Sequence, residues 1–366
     1  MFFIKQGQHL ERVELFDQQS IHQIQWPKSP ESTQAQMLPL SMLKQGVERY
    51  ITNTKTAYYF LRLDHFILPL TVNSKEYDNS YLTSNYYAVN QMHENWPKVF
   101  RPVASAIGLL LKGFKVNRSV VVNNWLLSNS LYPKLTDEQV ALLTTFLEKR
   151  FPDHLLMFRG LNDADTAPLI QQLKSLGYHT FFARKIFIYN PKVKKESRVA
   201  YHQRRDLRLL EKGGYRLEDS QDFERLITLY KYVYLDKHTA FCPHYTADYL
   251  KSAVESGFLE LRVLKKEKKV VGVFGFLIRN GTMIVPFFGY DTQIEEKVEI
   301  YRILTRLIID EAEKRGVLLN DGSGGDTAKK FRGMEEVNEY AAIYTHHLPL
   351  SRKIFWGLSE KMAKLF

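Results

Sequence analysis

The sequence predicts an α/β protein folded in two lobes. Three observations support this: a length of 366 residues, helical and strand patterns that alternate through the first half, and a strand–helix–strand pattern near the C terminus. A chain of this length usually forms two domains, and alternating helices and strands are typical of α/β proteins. Hydrophobic residues make up 45% of the sequence, so a core can form without disulfides.

The most informative stretch runs from Met283 to Gly333. Residues 283–291 are apolar and aromatic on both faces, which predicts a central strand. Residues 295–315 repeat apolar side chains at helical spacing, and Gly316 ends the predicted helix. Residues 317–321 predict a second strand, which leads into the glycine-rich turn 322–326. Such a crossover delivers the turn to the carboxyl edge of a sheet, where α/β proteins usually bind ligands.

The first half predicts a series of elements in order. They are a helix at 40–50, a hairpin of strands 56–63 and 66–72, a strand at 81–89, a helix at 102–114, a strand at 119–127, a helix from the capping box of Thr136 and Gln139 to Lys149, a strand at 154–159, a helix at 165–176 and a strand at 178–189. The hydroxyl and aromatic side chains of 81–89 suit either a pocket lining or the exposed side of a half-buried strand.

Asn190-Pro191 and the charged residues after it predict a boundary, which gives domains 1–190 and 191–366. The second half predicts helices at 197–212, 223–235 and 245–255, then strands at 259–264 and 270–278. Asn280-Gly281 predicts a tight turn that joins the last of these to the strand from Met283.

Composition limits the classes of function. The net charge of +11 favours polyanionic partners such as coenzyme A, tRNA or acidic lipid. The single cysteine, Cys242, excludes an internal disulfide framework and a thiolate zinc site, and no zinc, P-loop or dinucleotide motif occurs, so no metal is expected. Without a signal-peptide pattern or a long apolar run, we expect a cytoplasmic protein with no transmembrane segment.

The order of elements in the second half resembles the GNAT acyltransferase superfamily. Three features are similar to its FemABX and BioF2-like branch: the basic helix from Ser197 with Gly213-Gly214, the turn Asp321-Gly-Ser-Gly-Gly-Asp326, and Lys329-Lys-Phe-Arg-Gly333 followed by Glu339-Tyr340. The resemblance covers residues 197–347. It implies two tandem GNAT-like domains, each a mixed, mostly antiparallel sheet flanked by helices, with a degenerate first domain.

The resemblance also implies an activity. Members of this branch transfer an acyl or aminoacyl group from a coenzyme A thioester or an aminoacyl-tRNA to an amine, so this chain is expected to be an N-acyltransferase. The amine acceptor would be a small molecule or a peptidoglycan or polysaccharide precursor. Two features differ from the branch: Ala328 replaces an aromatic residue, and the turn 289–297 has one glycine and three carboxylates where coenzyme A enzymes have several glycines.

Lys329 matches the site lysine of the family, which implies that it stabilises an oxyanion. Lys330 and Arg332 would then neutralise phosphates of the donor, with Gly324 and Gly325 in the substrate-binding turn. The alternative is a solvated basic loop.

Three further side chains are candidates for proton transfer. Asp291 and Asp321 both end strands at the predicted edge, so either could act as the base or simply cap a turn, and Tyr290 could protonate the leaving group. Arg204 and Arg205 suit either a phosphate or carboxylate of a substrate or a solvated helix face.

Two other readings stay open. The first is a GNAT-fold module that binds tRNA or another polyanion without catalysis. The second places the basic amphipathic tail, residues 351–366, on a membrane surface or against the body of the protein. The pattern His244-Tyr-Thr-Ala-Asp248, known from another acyltransferase class, suits an ordinary first helical turn.

Overall fold

The computed structural model describes residues 2–6 and 9–363, with side chains from Val13 onward. The chain forms two compact units. Unit 1 comprises Met1–Ala183, Phe241–His244 and Glu339–Phe366, and unit 2 comprises Arg184–Ala240 and Tyr245–Asn338. The first division falls shortly before the predicted boundary at Asn190-Pro191, and the residues from Glu339 onward group with unit 1 rather than with the second half.

The secondary structure of the described residues is as follows. The helices are α1 (Pro30–Ala35), α2 (Leu38–Gln45), α3 (Tyr87–Asn95), α4 (Arg101–Gly113), α5 (Asp137–Arg150), α6 (Ala167–Ser175), α7 (Ser197–Lys212), α8 (Phe223–Tyr234), α9 (Ala247–Glu255), α10 (Lys297–Arg315), α11 (Asp326–Lys330) and α12 (Leu350–Ala363). The strands are β1 (Phe2–Gln6), β2 (His9–Phe16), β3 (Ala57–Leu63), β4 (Phe66–Asn73), β5 (Ser119–Val122), β6 (Leu155–Asn162), β7 (His179–Tyr189), β8 (Tyr215–Leu217), β9 (Glu260–Lys266), β10 (Lys269–Arg279), β11 (Thr282–Tyr290), β12 (Leu318–Asn320) and β13 (Glu335–Tyr344).

The sheet of unit 1 runs in the order β1-β2-β3-β4-β5-β6-β13. All neighbours in it are antiparallel except β5 and β6, which are parallel and joined through α5. Helices α5 and α6 bury their apolar faces with the strands in one core, which includes Leu61, Val120, Leu143, Phe158 and Leu173.

The sheet of unit 2 runs in the order β7-β12-β11-β10-β9-β8. Only β11 and β12 are parallel, and α10 forms the crossover between them. The core of this unit packs α10 against the strands through Ile300, Ile303, Leu304, Ile308 and Ala312. Gly316 ends α10 with φ 64°, the left-handed conformation that glycine adopts without strain.

The two units repeat one arrangement. Three antiparallel strands, a helix and a parallel strand follow one another in both, as β3-β4-β5-α5-β6 and as β9-β10-β11-α10-β12. This confirms the expected fold class of two GNAT-like halves, each with a mixed, mostly antiparallel sheet flanked by helices.

Two predicted strands differ from the structure. Residues 81–86 form turns, and α3 begins at Tyr87, because Ser84 and its neighbours hydrogen-bond locally instead of extending. The predicted strand 119–127 ends at Val122, since Asn123 and Leu126 adopt left-handed conformations with φ of 56° and 57°. No helix in the described ranges is long and apolar enough to cross a membrane.

Candidate active site

A cavity of about 350 Å³ opens in unit 2 where β11 and β12 part. The two strands pair only from Thr282 with Leu318 to Ile284 with Asn320. Beyond that point β11 continues to Tyr290, while the chain after β12 turns away through Asp321 into the glycine-rich turn 322–326. The cavity therefore lies at the carboxyl ends of two diverging parallel strands, the position predicted from the sequence.

A bulge in β11 shapes one wall of this cavity. The pairing of β10 with β11 shifts between Gly275 and Leu277, so one residue of β10 faces two of β11, Val285 and Pro286. Pro286 has no N–H to donate to a ladder, so it suits this irregular position. Because the extra residue reverses the alternation of side chains, Val285 lines the cavity together with Phe288 and Tyr290.

Residues from three helices and from the glycine-rich turn complete the lining, and most of them are aromatic or polar. They are Val233, Tyr234, Lys237 and His238 in and after α8, Tyr301, Thr305 and Ile308 in α10, and Asp321, Ser323, Gly324, Gly325 and Lys329 in and after the turn. The rings of Tyr290 and Tyr301 lie 5.9 Å apart between centroids. Burial raises the pKa of Tyr301 to about 12 and also raises the pKa of Tyr290. Both phenols therefore stay protonated at neutral pH and are available as hydrogen-bond donors.

Lys329 fastens the glycine-rich turn at the cavity wall. Its Nζ lies 2.7 Å from the carbonyl oxygen of Asp321 and 3.1 Å from Oδ2 of the same residue. The carbonyl oxygens of Gly322 and Ser323 lie 3.4 and 3.3 Å from Nζ. An ammonium group has three N–H donors, so these acceptors occupy all of them in this structure. Lys329 is buried, and its charge is balanced by Asp321.

The turn itself requires glycine. Gly322, Gly324 and Gly325 have positive φ values of 65°, 81° and 70°, which other L-residues adopt at a cost. A Cβ at Gly325 would also overlap the hydroxyl of Tyr301. At Gly325 the backbone can thus approach Tyr301 in the cavity wall only because a side chain is missing.

The structure brings part of the predicted site together. Lys329, Asp321, Tyr290, Gly324 and Gly325 all line the cavity. Of these, Lys329 and Asp321 form an ion pair, an arrangement that the sequence did not reveal.

Arg332 and Lys330 lie elsewhere, so the expectation that they meet donor phosphates at the cavity does not fit their positions. Arg332 is buried and donates to Asp206 at 2.7 Å and to the carbonyl oxygen of Ala328 at 2.6 Å. Lys330 extends to Glu336 at 2.7 Å. Packing against α7 buries the charge of Arg332 in an ion pair, whereas the exposed Lys330 pairs at the surface with Glu336 of β13.

Asp291 also lies outside the cavity lining. Its Oδ2 accepts from Arg225 at 2.6 Å, and its Oδ1 accepts from the backbone N–H of Gln293 at 3.0 Å. It therefore caps the turn after β11, which was the alternative reading. Arg204 and Arg205 are exposed on α7 and do not line the cavity, so their role in substrate binding stays a prediction.

The N-terminus of α10 is not arranged for a diphosphate. Helix N-termini usually bind anions through free N–H groups. Here Glu295 and Glu296 precede the helix, Glu299 lies in its first turn, and Glu296 pairs with Lys266 at 3.0 Å. These carboxylates repel phosphate, which agrees with the unusual composition of the turn 289–297.

Sequence reasoning missed several lining residues. Tyr301 shares the helical spacing of the apolar residues in 295–315, and this periodicity cannot distinguish a core residue from one that lines a cavity. His238 and Lys237 follow α8 with no motif to mark them, although burial lowers the pKa of His238. Cys242 is buried, and its burial raises the pKa of the thiol to about 12, which keeps the thiol protonated.

One family model matches part of this chain. Residues 197–330 match the model of an acetyltransferase (GNAT) domain. No curated protein matches the chain. Similar solved structures include L-PGS from Bacillus licheniformis, with 14% identity over 67% of this chain and 82% of that chain at a TM-score of 0.46. They also include FemX, with 12% identity over 63% and 85% at 0.45, and a tandem GNAT protein from the clavulanic acid biosynthesis pathway, with 9% identity over 92% and 99% at 0.40.

Proposed function

We propose, from the premise that residues 197–330 belong to the GNAT superfamily, that this chain transfers an acyl or aminoacyl group to an amine. The observation that carries the proposal is the cavity between the diverging ends of β11 and β12, with Lys329 and Asp321 in its wall. The donor would be an acyl thioester of coenzyme A or an aminoacyl-tRNA. Both donors occur in the cytoplasm, so we propose that the reaction takes place in the cytoplasm.

The unpaired edge of β11 suits an extended substrate. Beyond Ile284 no strand of the described chain pairs with β11 on the β12 side. The peptide groups of residues 285–290 there can hydrogen-bond an extended amide chain, as an added strand would. The phenols of Tyr290 and Tyr301 lie on the same wall and can donate to a carbonyl oxygen as it becomes negative.

The reaction balances with the groups in this wall. An amine attacks the acyl carbon, so a C–N bond forms and the C–S bond of a thioester or the C–O bond of an ester breaks. Asp321 takes the proton from the attacking nitrogen, while Tyr290 or Tyr301 delivers one to the leaving sulfur or oxygen. Lys329 holds Asp321 and the turn in place for this exchange.

Between the two donors we favour aminoacyl-tRNA. The net charge of +11 attracts a long polyanion, whereas the carboxylates at the start of α10 oppose a diphosphate at that helix. The acceptor amine would belong to a small molecule or to a peptidoglycan or polysaccharide precursor.

A blocking variant tests the proposal. Ser323 is exposed at the cavity lining, so Ser323→Trp should fill the entrance with little change in stability. Thr327→Trp, also exposed but outside the lining, is the matched control. Calorimetric titration with acetyl-coenzyme A and with aminoacyl-tRNA should show that wild type and Thr327→Trp bind aminoacyl-tRNA, the donor we favour, and that Ser323→Trp binds neither donor. If neither donor binds the wild-type protein, the transferase proposal is wrong.

A second candidate is a binding module without catalysis. The observation in its favour is that acceptors within the protein occupy all three N–H groups of Lys329. Such a module would bind tRNA with strong salt dependence and form no new amide. Mass spectrometry of the acceptor after incubation with aminoacyl-tRNA separates the two functions.

A further inference from the structure

Unit 1 contains a long insertion between two neighbouring strands. In unit 2, β10 and β11 are joined directly by the turn Asn280-Gly281. The corresponding strands of unit 1, β4 and β5, are separated by residues 74–118, which include α3 and α4. Both connections join antiparallel neighbours, so the strand pairing alone does not require the longer one.

Helix α4 buries one narrow stripe and leaves an apolar face outside. Ala104, Ile107, Gly108 and Leu111 recur at helical spacing on the inward side. On the other side Leu109 is 72% exposed and Leu110 55% exposed, and Val103 is exposed beside them. The residues just before the helix continue this face, since Val99 is 74% exposed and Phe100 is 53% exposed. Surface helices normally present polar residues to water, so this face is arranged for a partner.

Every charge along this segment is positive. Residues 96–115 contain Lys98, Arg101, Lys112 and Lys115 and no acidic residue. On the helix, Arg101 and Lys112 lie at nearly the same angle around the axis and share one flank of the apolar face. The Lys112 ammonium lies 5.1 Å from the ring centroids of both Tyr77 and Tyr86. These two contacts hold the ammonium at the edge of the apolar face.

A second apolar stripe lies on the neighbouring helix α12. Phe355 of α12 stacks on Phe114, just after α4, with ring centroids 4.3 Å apart. Leu350, Ile354 and Leu358 follow one another at every fourth position on the outward side, and all three are exposed. The unpartnered apolar surface of unit 1 therefore extends beyond one helix.

We propose that residues 96–115 dock unit 1 on the surface of an anionic lipid bilayer. An amphipathic helix with apolar residues on one face and cations beside them binds in the plane of the headgroups, and each cation near an anionic surface adds to the affinity. A helix of 13 residues is too short to span the bilayer. Pairing of this face with a second copy would bring two sets of four cations together, which disfavours a dimer.

Vesicle sedimentation of the full chain tests this inference. Wild type should pellet with vesicles of equal parts phosphatidylcholine and phosphatidylglycerol and stay in solution with phosphatidylcholine alone. The double variant Leu109→Ser/Leu110→Ser should lower the partition coefficient by about tenfold or more, since two leucines no longer enter the acyl boundary. Lys98→Ser/Arg101→Ser should lower it by about tenfold to thirtyfold on anionic vesicles.

The controls use exposed side chains of unit 2. Val298→Ser removes an equally exposed apolar residue and Lys314→Ser an exposed cation, so neither should change sedimentation. All variants should keep the wild-type melting temperature, because the replaced side chains are exposed. A wild type that fails to pellet, or a Leu109→Ser/Leu110→Ser variant that pellets like wild type, would overturn the proposal. Self-association of wild type in ultracentrifugation that this double variant abolishes, without vesicle binding, would assign the face to a second copy and also overturn it.

Discussion

Arg332 and Asp206 form a buried ion pair that joins α11 to α7, with Nε 2.7 Å from Oδ2. Both side chains are almost inaccessible to solvent. The other carboxylate oxygen of Asp206 accepts from Arg302 at 2.8 Å, and Gln203 donates to the carbonyl oxygen of Arg332 at 2.9 Å. One carboxylate thus fixes the segment after the glycine-rich turn to both α7 and α10.

Asp206→Ala should therefore destabilise unit 2 strongly. It leaves the Arg332 guanidinium buried without a counter-ion, which costs about 3–5 kcal/mol. Arg332→Met should cost less, because Asp206 keeps Arg302 as its partner. Arg204→Ala on the exposed side of the same helix should stay within about 0.5 kcal/mol of wild type. Urea unfolding measures all three, and equal stability of Asp206→Ala and Arg204→Ala would contradict this account.

A substitution of Lys329 distinguishes catalysis from binding. In Lys329→Ala the Asp321 carboxylate would lose its counter-ion, so the cleaner variant is Lys329→Ala/Asp321→Asn. If the ion pair serves catalysis, we expect kcat to fall by about 100-fold to 1000-fold while the donor still binds. If the site only binds polyanions, affinity should fall slightly and in a salt-dependent way. Single-turnover kinetics and donor titration at two salt concentrations separate these outcomes, and near-UV circular dichroism checks the fold.

The sequence was most informative where local rules and tertiary packing agree. The Asn280-Gly281 turn, the end of α10 at Gly316 and the capping box of Thr136 with Gln139 are all confirmed. Each depends on backbone conformation or on hydrogen bonds between residues close in sequence. Such features need no knowledge of the rest of the fold.

Features that depend on distant partners could not be predicted. Strand β8, from Tyr215 to Leu217, is too short to show alternation, and it forms because β9 pairs with it. The sequence predicts one ligand site from the cations of 329–332, but buried Asp206 pairs with Arg332 inside the fold, and Lys330 extends along the surface to Glu336. The bulge that turns Val285 into the cavity is set by pairing with β10, which no local pattern records.

A close approach of α8 and β11 positions the aromatic wall of the cavity. A Cβ at Gly289 would lie 2.6 Å from backbone atoms of Leu229 and Tyr230. These atoms belong to the backbone of α8, which cannot move aside as a flexible side chain could. Gly289→Ala should therefore cost about 1–3 kcal/mol and shift Phe288 and Tyr290 in the wall. Gly113→Ala, with open space around the added methyl, should be neutral or stabilise by up to about 1 kcal/mol. Thermal unfolding measures both variants, and a fully stable Gly289→Ala protein would rule out the close approach.

Asp165 should make the stability of unit 1 depend on pH. Burial raises the pKa of its carboxyl to about 6 from an ordinary value of 3.8, and the charge of Glu339 adds to the effect. Oδ1 of Asp165 is enclosed and accepts no hydrogen bond in the described part of the chain. At neutral pH the folded protein therefore holds a poorly solvated carboxylate.

The direction of the effect follows from proton binding. Between pH 3.8 and about 6 the folded carboxyl binds more protons than the unfolded one, so its contribution to stability is present at low pH and is lost as the pH rises through about 6. The amide introduced by Asp165→Asn does not bind or release a proton in this pH range. The variant should match wild type near pH 4 and exceed it by up to about 3 kcal/mol above pH 6. Urea unfolding across this range measures the difference. If the advantage of Asp165→Asn were the same at every pH, the carboxyl would not be the cause.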